Sequence, residues 1–157
     1  MNDRNVLRIV FLLSLMTIVA LPVLATFEAP TNETELKSFV ESAVAHVKEV
    51  GKEQAIKDFM NLNSSWVRGD VYIFADDFNG TALVFPYRPK VVGTYRMDER
   101  NDQGVYVSKV LNAIARNGSG FYEYRYINPI SNQTEPKITY VAKVDGTWYL
   151  GSGIYKH

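Results

Sequence analysis

Cysteine is absent from the 157 residues. That absence excludes disulfides, thiolate metal sites and a cysteine nucleophile together. Histidine occurs only at positions 46 and 157, and no second histidine is spaced to join His46 as a ligand. Neither sign of charge is in excess: 17 basic residues face 17 acidic ones, so nothing points to a nucleic-acid partner. The carboxylates fall largely in loops, with no spacing that marks an acid/base pair or a nucleophile beside its base, so an enzyme is not expected. The acidic loop from Asp98 to Gly104 lacks the alternating ligands and bidentate glutamate of a calcium loop, as does Asp76 to Gly80. Gly151-Ser152-Gly153 is no dinucleotide fingerprint, because no helix follows it. No cofactor is expected.

What the chain does have is one long apolar run and many aromatic rings. Arg4 and Arg8 precede the run from Ile9 to Leu24, and Val23-Leu24-Ala25 fits the small-residue rule for signal-peptidase cleavage. Residues 1–25 therefore read as a signal peptide, or as an uncleaved anchor, since Ile9 to Ala25 approaches the roughly 17–25 residues that span a bilayer. Either way the remainder is expected outside the cytoplasm: secreted or periplasmic/extracellular, or tethered through residues 9–25. Residues 26–32 form a linker, and 33–157 suit a single domain. The chain has ten Tyr and eight Phe, many of them, chiefly the tyrosines, in the second half. Tyrosine joins an apolar body to a polar tip, which suits wet pockets and interfaces.

Asn32 or Thr31 caps a first helix, with Glu33 and Glu35 at the positive end of its dipole. Leu36, Phe39, Val40, Ala43, Val44, Val47 and Val50 recur in steps of three and four, which predicts one buried helical face. Glu41, Lys48 and Glu49 are left to solvent or to a second copy. Gly51 breaks the helix, and a shorter one follows from Lys52 to Met60. Trp66 is expected to pack beneath the next hairpin.

That hairpin is the stretch from Asp70 to Gly93. Val71 to Ala75 reads as a strand, Asp76 to Gly80 as its turn, and Thr81 to Phe85 as the return. Pro86 cannot donate to a ladder and marks an exit or an edge. The stiffened loop Pro86-Tyr87-Arg88-Pro89-Lys90 then either holds a small anion or is simply solvated. A third helix spans Val105 to Arg116, and three strands close the chain: Phe121 to Ile127, Lys137 to Val144, and Thr147 to Leu150. This order predicts an α+β fold: an antiparallel β-sheet of about five strands, with the helices on one side.

Six motifs occur in register: Tyr72 to Pro86, Arg88-Pro89-x-x-x-Gly93, Asp98 to Gly104, Gly118-x-Gly120-x-x-x-Tyr124, Pro136-Lys137-x-x-Tyr140, and Trp148-x-x-Gly151-x-Gly153-Ile154-Tyr155. Together they resemble the single Cache domain, type 2, of extracellular receptors, over roughly Glu33 to Tyr155. The resemblance implies a PAS-like sheet behind a long N-terminal helix. It also implies a pocket for a short organic acid such as acetate, propionate, lactate or pyruvate. Two positions depart from the family: Arg100-Asn101-Asp102-Gln103 replaces a frequent Asp-Pro pair, and Phe85 replaces a polar or imidazole group. Family sensors also carry a second membrane span and a cytoplasmic output module, which these residues do not include. A separate membrane receptor and a homodimer through the N-terminal helix are the expected partners. The alternative is an interaction module with no functional pocket.

Strand parity places Tyr72 with Phe74, and Tyr124 with Tyr126, so these four are expected to line one cavity. A buried carboxylate requires a cation or several donors. Lys137 is the first candidate and Arg88, in the Pro86-x-Arg88-Pro89 step, the second, with Pro86 itself at the site and Tyr140 and the Tyr72 hydroxyl assisting. Arg125 has the opposite parity and should face away, while Lys90 and Arg96 are expected to be solvated.

Overall fold

A computed structural model describes residues 27–156. The signal-peptide or anchor reading of residues 1–25 lies outside the described residues. Among those described, no helix is long and apolar enough to cross a membrane.

Helix α1 (Glu33–Val50) starts where the Asn32 side chain accepts the Glu35 N–H at 3.0 Å, while the Glu35 carboxylate reaches back to the Thr31 N–H at 2.8 Å. The two ends of its first turn thus satisfy each other. Gly51 ends it at φ +84, a conformation that disfavours any side chain. Helix α2 (Lys52–Met60) follows directly. The inward stripe of α1 is Leu36, Phe39, Val40, Ala43 and Val47; Val44 is half-buried and Val50 lies exposed at the end. Trp66 packs edge-on against Phe59 at 5.2 Å and tilted against Phe39 at 5.8 Å. His46 lies against the same indole and bonds to Asp58 at 2.7 Å, a packed residue at the helix junction.

The stretch read as one strand from Val71 to Ala75 is divided at Ile73. Strand β1 (Val67–Arg68) pairs with β2 (Val71–Tyr72) in a small separate ribbon, and β3 (Phe74–Asp77) joins the main sheet. Asp76 and Asp77 therefore belong to the strand rather than to the turn, which closes at Gly80 (φ +94). After β4 (Ala82–Val84), a short 3-10 turn (Pro89–Val91) and α3 (Val107–Arg116), the chain forms β5 (Ser119–Ile127), β6 (Thr134–Lys143) and β7 (Trp148–Tyr155). The five-stranded sheet is antiparallel in the order β4-β3-β7-β6-β5. The last strand is thus inserted at the centre, between the first hairpin and the β5–β6 pair.

The fold is α+β, but the helices do not share one side. Helices α1 and α2 cover one face through Ile73, Ala75, Ile138, Tyr140, Trp148 and Leu150. Helix α3 covers the other through Leu111 and Ala115, against Phe74, Tyr124, Val141 and Tyr149. The physical reason is that both faces of β3, β6 and β7 are apolar, so each needs a cover. The second cover leaves room for a cavity.

Candidate functional site

Side chains on a strand alternate between faces, and the register of the sheet turns that alternation into a site. Asp76 lies opposite Tyr149 on β7, and Phe74 opposite Gly151. Lys137 on β6 has Tyr124 of β5 on one side and Tyr155 of β7 on the other. Phe74, Tyr124 and Tyr149 lie in the core that α3 covers. Tyr72, Phe74, Asp76, Tyr124, Tyr126 and Lys137 line one cavity of ≈ 50 Å³, walled by Val107, Ser108 and Leu111 of α3 and roofed by Arg96, Glu99, Arg100 and Asn101. A single water takes about 10–15 Å³ of such space, so the cavity holds about three to five water-sized groups and its guest is small.

Arg96 is the residue that sequence reasoning placed in solvent. It is 4% exposed. The segment before it runs along the first hairpin: Ala82 donates to the Thr94 carbonyl, Gly93 to that of Ala82, and Arg96 to that of Gly80. Thr81 bridges Tyr95, so alternation turns Tyr95 out and Arg96 in. Its guanidinium lies 4.2 Å over the Phe85 ring and donates to Glu99 at 2.8 and 3.1 Å and to the Tyr126 hydroxyl at 3.3 Å. Burial opposes its charge, but the Glu99 bonds and the nearby Tyr126 and Asp76 hold its pKa above the usual value.

Lys137 is 1% exposed. Its ammonium donates to the Tyr155 hydroxyl at 3.3 Å and stands over the rings of Tyr155, Tyr72 and Tyr126 at 4.6, 4.7 and 5.6 Å. Burial pushes its pKa down to about 7, although the Asp70 charge pulls the other way. Burial likewise raises the Tyr72 and Tyr124 hydroxyls, which stay neutral; Tyr124 accepts from Thr139 at 3.2 Å. Asp76 is buried too, and desolvation lifts its carboxyl to about 6 against the pull of Arg96 and of the Tyr149 hydroxyl.

Three expected residues stand elsewhere. Tyr140 is three residues beyond Lys137, an odd step on a strand, so it faces α1 and packs against Phe121 at 4.7 Å. Pro86 is buried but does not line the cavity. Arg88 is exposed at the mouth, where it donates to the outer side of the Tyr126 hydroxyl at 2.9 Å. Arg125 does turn away, to Asp102 at 3.0 Å. Of the residues missed, Asp76 shares the parity of Tyr72 and Phe74 and was legible as soon as the strand was extended by two residues. Ser108 and Asn101 carried no such signal. Among the described residues no cluster of three His, Asp or Glu suits a metal ion.

A family model described as a Cache domain matches residues 31–157. The chain belongs to the Cache domain family. The sensor histidine kinase MctS of Rhizobium johnstonii is 30% identical over 87 residues, which are 55% of this chain and 19% of the kinase. The chain thus spans under a fifth of that relative. A methyl-accepting chemotaxis protein from Vibrio parahaemolyticus superposes with a TM-score of 0.69 and 25% identity, over 78% of this chain and 86% of that one. A Cache chemosensory domain described for carboxylic acid recognition superposes at 0.67 with 22% identity, over 79% and 92%. A periplasmic sensor domain of a chemotaxis protein superposes at 0.63 with 22% identity, over 79% and 90%. The latter two share the fold. Cache domains are ligand-binding modules of signalling proteins, so this one is a domain of the sensor type.

Proposed function

We propose that this Cache domain works outside the cytoplasm and captures a short organic acid, of the size of acetate, propionate, lactate or pyruvate, in the cavity beneath α3. The observation that carries the reading is the convergence of Arg96 and Lys137, each almost fully buried, on a single aromatic-walled cavity. Two buried cations in a small space favour an anionic guest, because an uncompensated buried charge is costly. Glu99 already neutralises part of Arg96; Lys137 is the cation with most to gain. The fold shared with a Cache domain described for carboxylic acid recognition supports the same reading.

Tyr126 links the cavity to its surroundings, since Arg88 holds its hydroxyl from outside and Arg96 from inside. Pairing with a membrane receptor, and with a second copy through α1, belongs to the same proposal; α1 presents exposed Glu41, Lys48 and Glu49 outward. Light scattering that gives a monomer at high concentration, with and without acid, would remove the dimer. The test of the acid is a thermal-shift series with the four compounds. A guest at a hundred times its Kd adds about 2.7 kcal/mol, which raises Tm by several degrees. No shift from any of the four at 10-millimolar order would sink the proposal and favour the interaction module.

A further inference from the structure

Asp76 lines the same cavity as Arg96 and Lys137 and is 2% exposed. Its Oδ2 accepts the Tyr149 hydroxyl at 3.1 Å, whereas Oδ1 has no hydrogen-bond partner among the described residues. Folded proteins rarely leave such an oxygen unsatisfied, because its lost hydration is not compensated. The nearby guanidinium does not serve it: Arg96 gives its bonds to Glu99 and Tyr126, and forms no ion pair with Asp76. The lining of the cavity therefore includes two cations and a carboxylate oxygen without a partner.

A plain carboxylate suits only half of this arrangement. Acetate has a negative end for Arg96 or Lys137 and a methyl group for everything else. Next to Asp76 it supplies no donor. A guest that carries an O–H or N–H beside its carboxylate satisfies both ends, and the cavity's size keeps the two groups one or two carbons apart. Lys137 and Arg96 then take the carboxylate while Asp76 Oδ1 accepts from the second group. We propose that Asp76 is a specificity-determining contact that accepts a hydrogen bond from the guest, which makes the guest a short 2-hydroxy or 2-amino carboxylic acid rather than a simple alkanoate. The inference rests on the carboxylate reading of the cavity and narrows it.

The experiment is calorimetry on the purified chain with acetate, glycolate and glycine, which share a two-carbon carboxylate and differ in the donor. Glycolate or glycine is expected to bind about ten- to a hundredfold tighter than acetate, the usual effect of one hydrogen bond to a charged group. Whichever of the two is tighter names the donor as hydroxyl or ammonium. In Asp76→Ala the preference over acetate is expected to fall below about threefold. Acetate binding as tightly as both others would overturn the role of Asp76 and leave the carboxylate cavity standing. A preference that persists in folded Asp76→Ala would overturn it equally. If none of the three binds while an acid of the thermal-shift series does, this inference fails and the carboxylate cavity stands; if no acid of either set binds, both fail. The ranking on the parent decides the matter even where the variant does not fold.

Discussion

The Lys137 ammonium stands 4.7 Å from the centre of the Tyr72 ring, and its pKa has been driven down to about 7 by burial. Half of the molecules are thus uncharged there near neutral pH, and an arriving carboxylate favours the charged form. Binding should therefore take up a proton once the pH exceeds 7. Asp76, whose pKa lies near 6, is already ionised at pH 8 and contributes little to that uptake. Calorimetry at pH 8 in two buffers of different ionisation enthalpy is expected to show uptake approaching one proton, and none in Lys137→Met. Equal uptake in both proteins would refute this role for Lys137.

Asp76 sets a second pH dependence, with the opposite sign to a paired carboxylate. Its folded pKa of about 6 lies above the ordinary aspartate value, because burial penalises the charge. The unfolded chain therefore loses this proton first, and stability falls as pH rises from about 4 through 6. The full effect is up to about 3 kcal/mol, from roughly two pKa units at 1.36 kcal/mol each. Arg96, Glu99, Asp77 and Tyr149 act on the same group and are common to both proteins compared. Asp76→Asn should melt higher than the parent at pH 7, with the gap closing toward pH 4. Parallel melting curves across that range would count against the buried charge.

Gly153 clears space for Lys137. A Cβ at that position would lie 2.5 Å from Lys137 Cε, 2.5 Å from Thr139 Oγ1 and 2.8 Å from the Ile138 carbonyl. Gly153→Ala should cost about 1–3 kcal/mol, as overpacking does, and weaken acid binding. Gly146→Ala, where a Cβ meets nothing within 4 Å, serves as control. Gly153→Ala melting and binding like the control would contradict the packing described.

Much of this was legible in the residues, and the rest was hidden for a physical reason. Local signals carried the helices: Gly51 separated α1 from α2, and α2 ran from Lys52 to Met60 as the spacing predicts. Parity within a strand carried Tyr72, Phe74, Tyr124 and Tyr126 to one cavity. The Pro136-Lys137-x-x-Tyr140 motif put Tyr140 there too, although a step of three from Lys137 reverses the face. Arg96 was not legible, because its burial depends on Thr94, Tyr95 and Arg96 running beside Gly80 and Ala82, a pairing that no local pattern announces. Nor was the central position of β7, which sets the pairs Asp76–Tyr149 and Lys137–Tyr155.

Tyr140 supplies a check on the face assignment. Its ring packs with Phe121 on the α1 side, away from the cavity. Tyr140→Phe should leave the affinity for the acid within about twofold, since no charged or polar contact to the guest is lost. A tenfold loss would place Tyr140 in the site after all.

The central claim is that Arg96 and Lys137 together hold a carboxylate beneath α3. Its most direct test is calorimetric titration of the best acid from the thermal-shift series into the parent, Arg96→Met and Lys137→Met. Each variant is expected to lose about ten- to a hundredfold in affinity, the effect of removing a charge-assisted hydrogen bond of roughly 1.5–3 kcal/mol. Both variants binding the acid as tightly as the parent would contradict the account.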